Sequence, residues 1–214
     1  MRTFTLPPKT HLYKTDEDDP VFLHFLPGIG YVYKKRLKNT LSLLGDGPYE
    51  QLLEIGYGSG ILFPELSKRA RCVTGVEIHD KEAYVYKTVH HENITNVVLK
   101  KGTIYALPFA QSSFDRVVSV STLEHLDNLN KALLEIQRVL KPSGKAVLSF
   151  PVRNPITDTF FRIVGYNPRH LHPSSHNDIL NAVHNYFYIE RYCTFPPFLP
   201  IDYSLYCTIR VGRK

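Results

Sequence analysis

From about Glu50 onward, short continuous apolar runs alternate with segments whose apolar residues recur at three- and four-residue steps. Runs of the first kind suit strands buried on both faces, and segments of the second kind suit helices lying on them. The pattern predicts strands at Gln51–Ile55, Cys72–Glu77, Asn96–Leu99, Arg116–Val120 and Lys145–Phe150. Helices are expected near Ile61–Arg69, Lys81–His90 and Leu129–Leu140. The last is the clearest, because Leu129, Ala132, Leu133, Ile136, Val139 and Leu140 fall on one face. Lys141-Pro142-Ser143-Gly144 is expected to end it, with Gly144 in a left-handed turn. Such alternation implies a parallel sheet covered by helices on both faces.

After Phe150 the texture changes to proline, histidine and aromatics, followed by a short helix from about Asn177. Two further strands, near Tyr186–Cys193 and Leu205–Val211, suit a hairpin closing one edge of the sheet. Before Glu50 lie an acidic run, Asp16-Glu17-Asp18-Asp19, read as a solvated tail, and a helix from about Tyr31 to Leu44. With no internal repeat and no long linker, the 214 residues are expected to form one domain. Its parts are an N-terminal tail and helix (1–48), a cofactor-binding core (49–152), a substrate cap (153–176) and a C-terminal helix and strand pair (177–214).

Composition narrows the partners. The net charge of +6 suits an anionic substrate or a nucleic acid, although Lys34-Lys35-Arg36-Lys38 has the spacing of a solvated helix face. Cys72, Cys193 and Cys207 are odd in number and far apart, so neither a disulfide framework nor a zinc ribbon is expected. Residues 1–10 hold no apolar leader core and no later run reaches membrane-spanning length, which gives the expectation of a soluble cytoplasmic protein without membrane insertion.

The most informative stretch is Leu52-Leu53-Glu54-Ile55-Gly56-Tyr57-Gly58-Ser59-Gly60, a buried strand running into a glycine loop and then a helix start that tolerates Pro64 in its first turn. A dinucleotide fingerprint would need a small residue at position 61, where Ile61 stands. Val73-Thr74-Gly75-Val76-Glu77 follows as a strand ending in an acid, roughly twenty residues past the loop, where doubly wound folds place a carboxylate for ribose hydroxyls. Then come Lys101-Gly102-Thr103-Ile104-Tyr105-Ala106-Leu107-Pro108-Phe109, the entry Ser113-Phe114-Asp115 into a further strand, and Ser119-Val120-Ser121-Thr122-Leu123-Glu124-His125-Leu126 leaving it.

In this order the motifs resemble class I S-adenosylmethionine-dependent methyltransferases, of the type 11-like kind, over about Glu50 to Val152. The resemblance implies a three-layer αβα sandwich: a doubly wound, mostly parallel, seven-stranded Rossmann-like sheet with an antiparallel strand at the C-terminal edge. It implies S-adenosylmethionine as cofactor and S-adenosylhomocysteine as product. It assigns cofactor binding to Glu54, Gly56, Tyr57, Gly58, Ser59, Gly60, Glu77, Ile78, Thr103, Ile104, Ser119 and Leu123. The family often has an aspartate where Thr103 stands, so the adenine contact falls to the Thr103 hydroxyl or to backbone groups.

A sulfonium donor carries its own leaving group, so alignment of donor and acceptor can supply much of the rate, and a base is optional. His125 is the candidate base, placed by the turn after the fourth strand, while Glu124 and His125 equally suit capping or bracing of the next helix. His170, His172 and His176 lack a carboxylate or cysteine companion, so no metal site is expected. The 151–176 segment carries Arg153, Arg162 and Arg169 against Asp158 and suits an anionic acceptor, and its aromatics Phe160, Phe161 and Tyr166 equally suit packing onto the domain. Tyr31 and Tyr33 are candidates to close the pocket. The favoured reading is methyl transfer to a small-molecule acceptor. A nucleic-acid methyltransferase is less favoured, because no RNA-binding module and no amino-methylation motif accompany the modest positive charge. A non-catalytic S-adenosylmethionine-binding protein is the third reading.

Overall fold

The computed structural model describes residues 4–16, 19–165 and 173–214. His170, His172, Arg169 and Tyr166, and the Glu17-Asp18 centre of the acidic run, lie outside them. The elements, in chain order, are α1 (Ile29–Leu44), β1 (Tyr49–Ile55), α2 (Phe63–Leu66), β2 (Ala70–Glu77), α3 (Glu82–His91), β3 (Val97–Lys101), β4 (Phe114–Val120), α4 (Leu129–Val139), β5 (Leu140–Pro151), α5 (Pro155–Ile163), α6 (His176–Tyr186), β6 (Phe187–Phe195) and β7 (Tyr206–Arg213). The strands form one seven-stranded sheet in the order β3-β2-β1-β4-β5-β7-β6. β1 to β5 are mutually parallel, and β7 runs antiparallel to both β5 and β6. The lone reversed strand is therefore β7, one place in from the edge, and β6 is the edge strand of the expected hairpin.

Apolar residues at consecutive strand positions feed two separate cores, because successive side chains point to opposite faces. Leu52, Val118 and Val147 pack with Leu37, Leu41 and Leu44 of α1 and Val85 and Val89 of α3. Leu53, Val117 and Ala146 pack with Leu133 and Ile136 of α4 and Ile179 and Val183 of α6. The continuous apolar runs are thus the signature of strands covered twice.

Two sequence expectations give way to local packing. The helix expected over Ile61–Arg69 is only Phe63–Leu66, because the buried Arg69 turns its guanidinium back onto Glu65, 2.6 Å from its carbonyl oxygen and 2.7 Å from Oε2. Gly144 is not left-handed. Residues 140–151 are extended throughout, and the chain makes its excursion between the Phe114↔Leu140 and Arg116↔Lys145 pairings. A Cβ at Gly144 would lie 2.9 Å from the Leu140 side chain. Asp115 fixes this corner, accepting from Gln51 N at 2.8 Å and Lys141 Nζ at 2.7 Å, so the Ser-Phe-Asp entry ties β1, β4 and β5 together.

The chain builds β2 and β3 on one side of β1 and β4 and β5 on the other, so strand order reverses between β1 and β4. A crevice opens beyond the carboxyl ends of strands at such a reversal. Within it, Gly75 lets the loop after β1 lie flat on β2, since a Cβ there would be 2.7 Å from both Tyr57 Cδ1 and Phe63 Cζ. Residues before α1 fold over the opening, with His24 buried to 2 % exposure and its ring set edge-on to Tyr33 at 5.2 Å.

His24 also makes stability depend on pH. Burial, and secondarily the Arg36 guanidinium, pushes its imidazole down to about 3. The unfolded chain then binds the extra proton below the ordinary value of 6.5 and the folded chain does not, so this contribution is complete above 6.5 and is lost as pH falls towards 3. Compared with His24→Gln, the wild type should lose up to about 1.4 kcal/mol more stability per pH unit across that window. Urea denaturation of both proteins at a series of pH values measures the difference, and parallel profiles would contradict a neutral buried imidazole.

Candidate functional site

The crevice contains a cavity of about 620 Å³, lined by the loops after β1, β2, β3 and β4, by Thr15, Asp16, Asp19, Pro20, Val21 and His24, and by α1. The loop after β1 begins with Gly56, whose φ is +74° and whose missing Cβ would lie 2.2 Å from Thr122 Oγ1 on the loop after β4. Only glycine permits that approach. Gly58 also has positive φ, but nothing stands within 4 Å of its missing Cβ, so its α-carbon faces open space.

The loop is held by its neighbours. Gly58 N donates to Glu77 Oε2 at 3.0 Å, and Ile78 N donates to Glu77 Oε1 at 2.7 Å. A carboxylate has about four acceptor positions, so two remain on Glu77 for a ligand's hydroxyls. His79 completes the brace. Its Nδ1 accepts from Lys81 N at 3.1 Å, which leaves Nε2 to donate to Gly58 O at 3.1 Å. The loop after β3 is stapled from α4: Arg138 donates to Leu107 O at 2.9 Å and Phe109 O at 2.7 Å, while Glu135 Oε2 accepts from Leu107 N at 2.7 Å. Thr103 Oγ1 accepts from Tyr105 N at 3.3 Å and keeps its hydroxyl hydrogen available to a ligand.

Of the residues singled out in the sequence, Glu54, Gly56, Tyr57, Gly58, Ser59, Glu77, Ile78, Thr103, Ile104 and His125 line this one cavity. Gly60, Ser119 and Leu123 do not. Gly60 packs against Phe63 and Val85, Leu123 is fully buried in the core, and Ser119 Oγ donates to Ile55 O at 3.2 Å. These three shape the floor from beneath. His125 is exposed at the rim, in the short turn Leu123–His125. It does not cap the following helix, because Asn128 does so through Lys131 N at 3.0 Å. His176, read with the cap, is instead committed to structure: its Nδ1 accepts from Arg153 N and its Nε2 meets Asp202 Oδ1, both at 3.1 Å. No group of three potential metal ligands exists among the described residues.

Buried acids and a buried guanidinium share the wall of this cavity. At the glycine-loop end, Glu54 is 3 % exposed and its Oε2 has no hydrogen-bond partner. Burial, with Glu77 nearby, pushes its carboxyl well above the usual carboxylate range. Tyr33, expected to close the pocket, and Glu124 also line the cavity, together with Arg36, Tyr206 and His24, whose roles the sequence pattern does not reveal. Arg36 has the spacing of a solvated helix face, yet it is 5 % exposed. Its guanidinium carbon lies 5.2 Å from the Tyr33 ring centroid and 5.1 Å from that of Tyr206, and Nη1 donates to Ser121 Oγ. Ser121 has φ of +52°, a conformation that costs a non-glycine residue energy and aims its hydroxyl at the arginine. Burial raises the Glu124 carboxyl as well, against the opposing pull of His125 and Arg36. The signal that could have separated Arg36 from its lysine neighbours is its place on the apolar face of α1 with Tyr33, Leu37 and Thr40.

Residues 53–148 match the family model described as a methyltransferase domain. Among curated proteins, an uncharacterized methyltransferase of Bacillus subtilis (strain 168), YdaC, is 30% identical over 114 residues, covering 53% of this chain and 63% of the relative. A ubiquinone biosynthesis O-methyltransferase of Dechloromonas aromatica (strain RCB) is 28% identical over 130 residues, 60% of this chain and 54% of the relative. The chain thus spans somewhat over half the length of these two. Geranyl diphosphate C-methyltransferase from Streptomyces coelicolor A3(2), solved with Mg2+, geranyl diphosphate and S-adenosyl-L-homocysteine, shares the fold at a TM-score of 0.72 and 15% identity, over 97% of this chain and 88% of that one. The matched stretch is the part of the chain whose glycine loop, acid and turn motifs gather at one crevice.

Proposed function

We propose that the protein transfers a methyl group from S-adenosylmethionine to a small-molecule acceptor. The observation that carries this reading is the buried, unpartnered Glu54 carboxyl beside Glu77 at the glycine-loop end of the cavity. A phosphate-bearing nucleotide would meet two acids there. S-adenosylmethionine brings an ammonium, a sulfonium and a carboxylate, and its cationic groups fit a site whose orphaned acid lacks a cation. Glu77 would hold the ribose hydroxyls with its spare acceptor positions while keeping Gly58 in place, and Thr103 and Ile104 would face the adenine. Gly56, Tyr57, Gly58 and Ser59 would follow the amino-acid arm, with Ile78 at the mouth.

When bound, the cofactor supplies an electrophilic methyl group on a good leaving group. The protein's own contribution is alignment: a rigid floor and a braced loop. His125, at the rim, would take the proton of a hydroxyl or amine acceptor. The modest volume of the cavity, about 620 Å³, supports a small acceptor over a polymer.

Binding of the cationic cofactor favours ionised Glu54, so it should lower that raised pKa and release a proton. Calorimetric titration with S-adenosylmethionine at mildly acidic to neutral pH, in buffers of different ionisation enthalpy, should show proton release that Glu54→Gln abolishes. Binding of neither S-adenosylmethionine nor S-adenosylhomocysteine would remove the basis of the proposal. For a hydroxyl acceptor, His125→Gln should slow transfer by about 10²-fold or more with S-adenosylhomocysteine affinity unchanged. Release of the demethylated product over a panel of small hydroxylated acids reports the rate, and an unaltered rate would assign catalysis to alignment alone.

A further inference from the structure

Several large apolar side chains stand exposed at the edge of the sheet that carries the cavity. β5 ends at Pro151, which pairs with Tyr206 at the start of β7, and Tyr206 pairs in turn with Phe195 at the end of β6. Residues 152–163 and 196–205 therefore leave the same carboxyl edge as the loops that line the cavity. The ring of Tyr31, near the start of α1, meets Phe195 there at 5.7 Å. Phe198 is 80 % exposed and Ile163 73 %, and Tyr31, Tyr203 and Ile156 are exposed as well. Hydrogen bonds join these positions into one surface. Asn154 Nδ2 donates to Asp202 O at 2.9 Å and to Ser204 O at 2.8 Å, and Thr157 Oγ1 donates to Ser204 O at 3.3 Å, which holds α5 against the 196–205 segment. α5 turns Thr157 and Phe161 inward, yet it carries Ile156 and Ile163, two turns apart on another face, in water. Single exposed apolar residues are ordinary, but a joined patch marks an interaction surface.

We propose that this patch docks the protein on an anionic lipid surface. Charge complementarity selects that occupant. In the segments 25–38, 153–163 and 191–204, the charged side chains that keep contact with water are Lys34, Lys35, Lys38, Arg153, Arg162 and Arg191 against Asp158 and Asp202, with Asp178 near Arg153. The excess is positive, as a bilayer with acidic headgroups requires. Long basic side chains can lay their stems along apolar neighbours and keep their charge in water, and Lys34 has its Nζ 6.0 Å from the Phe25 ring centroid. Phe198, Ile156 and Ile163 would enter the boundary between headgroups and acyl chains, and the hydroxyls of Tyr31 and Tyr203 would stay at its wet side. The attachment is peripheral, through loop side chains and one helix face; no described helix is long and apolar enough to cross a membrane. Phe160 links this surface to the cavity, its ring 6.2 Å from Tyr33 and 5.9 Å from Phe161, both of which line the cavity wall. Docking thus sets one wall of the cavity beside the lipid.

The test is sedimentation of the whole protein with vesicles of phosphatidylcholine alone and of phosphatidylcholine mixed with phosphatidylglycerol, at low and at physiological salt. Binding to the mixed vesicles should exceed binding to pure phosphatidylcholine by about tenfold or more, and should weaken as salt rises. Phe198→Ser combined with Ile163→Ser, both at exposed positions outside the cavity, should weaken it by about tenfold or more. Arg162→Gln should weaken binding to the mixed vesicles by about fivefold. Circular dichroism of each variant should match the wild type, and affinity for S-adenosylhomocysteine should be unchanged. No binding to either vesicle, equal binding to both, or binding that survives the paired apolar substitutions would each overturn the proposal. Self-association of the wild type that the paired substitutions abolish, without vesicle binding, would assign the patch to a second copy of the chain and overturn it too. Failure to bind S-adenosylhomocysteine would overturn the cofactor reading alone, because the vesicle measurement does not depend on it.

Discussion

The contact between the ends of β1 and β4 governs the rest of this site. Residue 56 can approach Thr122 only as glycine, since a Cβ would sit 2.2 Å from Thr122 Oγ1. That closeness brings two loops together where strand order reverses, and the crevice beyond them is the cavity. Thr122 and Ser119 both donate to Ile55 O, so the end of β4 is fastened to the end of β1 from two positions. A rigid floor results, and loops carried by rigid strands can hold side chains to the tolerance that alignment catalysis requires.

Around that floor the chain buries an acid and a guanidinium in the wall of one cavity. Glu54 terminates β1 and is desolvated by the same packing that makes β1 a central strand. Arg36 is desolvated because α1 lies over β4, β5 and β7 with its apolar stripe inward. Each is expensive in an empty cavity, and each would be relieved by a ligand group of the opposite charge. Buried polar atoms without partners are rare in folded proteins, so their clustering at one cavity says more about ligand chemistry than the cavity's size does.

Support for the site comes from residues that touch no ligand. Arg138 and Glu135 on α4 staple the turn after β3, and His79 with Glu77 braces the glycine loop. The Leu-Pro-Phe turn thus owes its position to an ion pair three residues apart on a distant helix. Asp115 plays the corresponding part at the opposite edge of the sheet, joining three parallel strands at their amino ends.

Local order of residues was enough to determine the alternation of strands and helices, the glycine loop and the acid at Glu77. These depend on periodicity and on short-range stereochemistry, both of which are properties of neighbours in the chain. It was also enough to gather most of the cavity-lining loop residues, because in a parallel sheet the loops at one edge follow from strand direction alone. The division between wall and floor was not legible: Gly60, Ser119 and Leu123 sit in the same motifs as their lining neighbours but turn inward. Nor were Arg36 and His24, whose environments come from α1 and the residues before it folding across strands more than eighty positions away. Helix length after the glycine loop and the extended path through Gly144 were likewise settled by contacts, the first by Arg69 on Glu65 and the second by pairing with β4. Burial and the sign of the local field are sums over the whole fold, so only the tertiary structure could decide which charges would stand alone in the cavity.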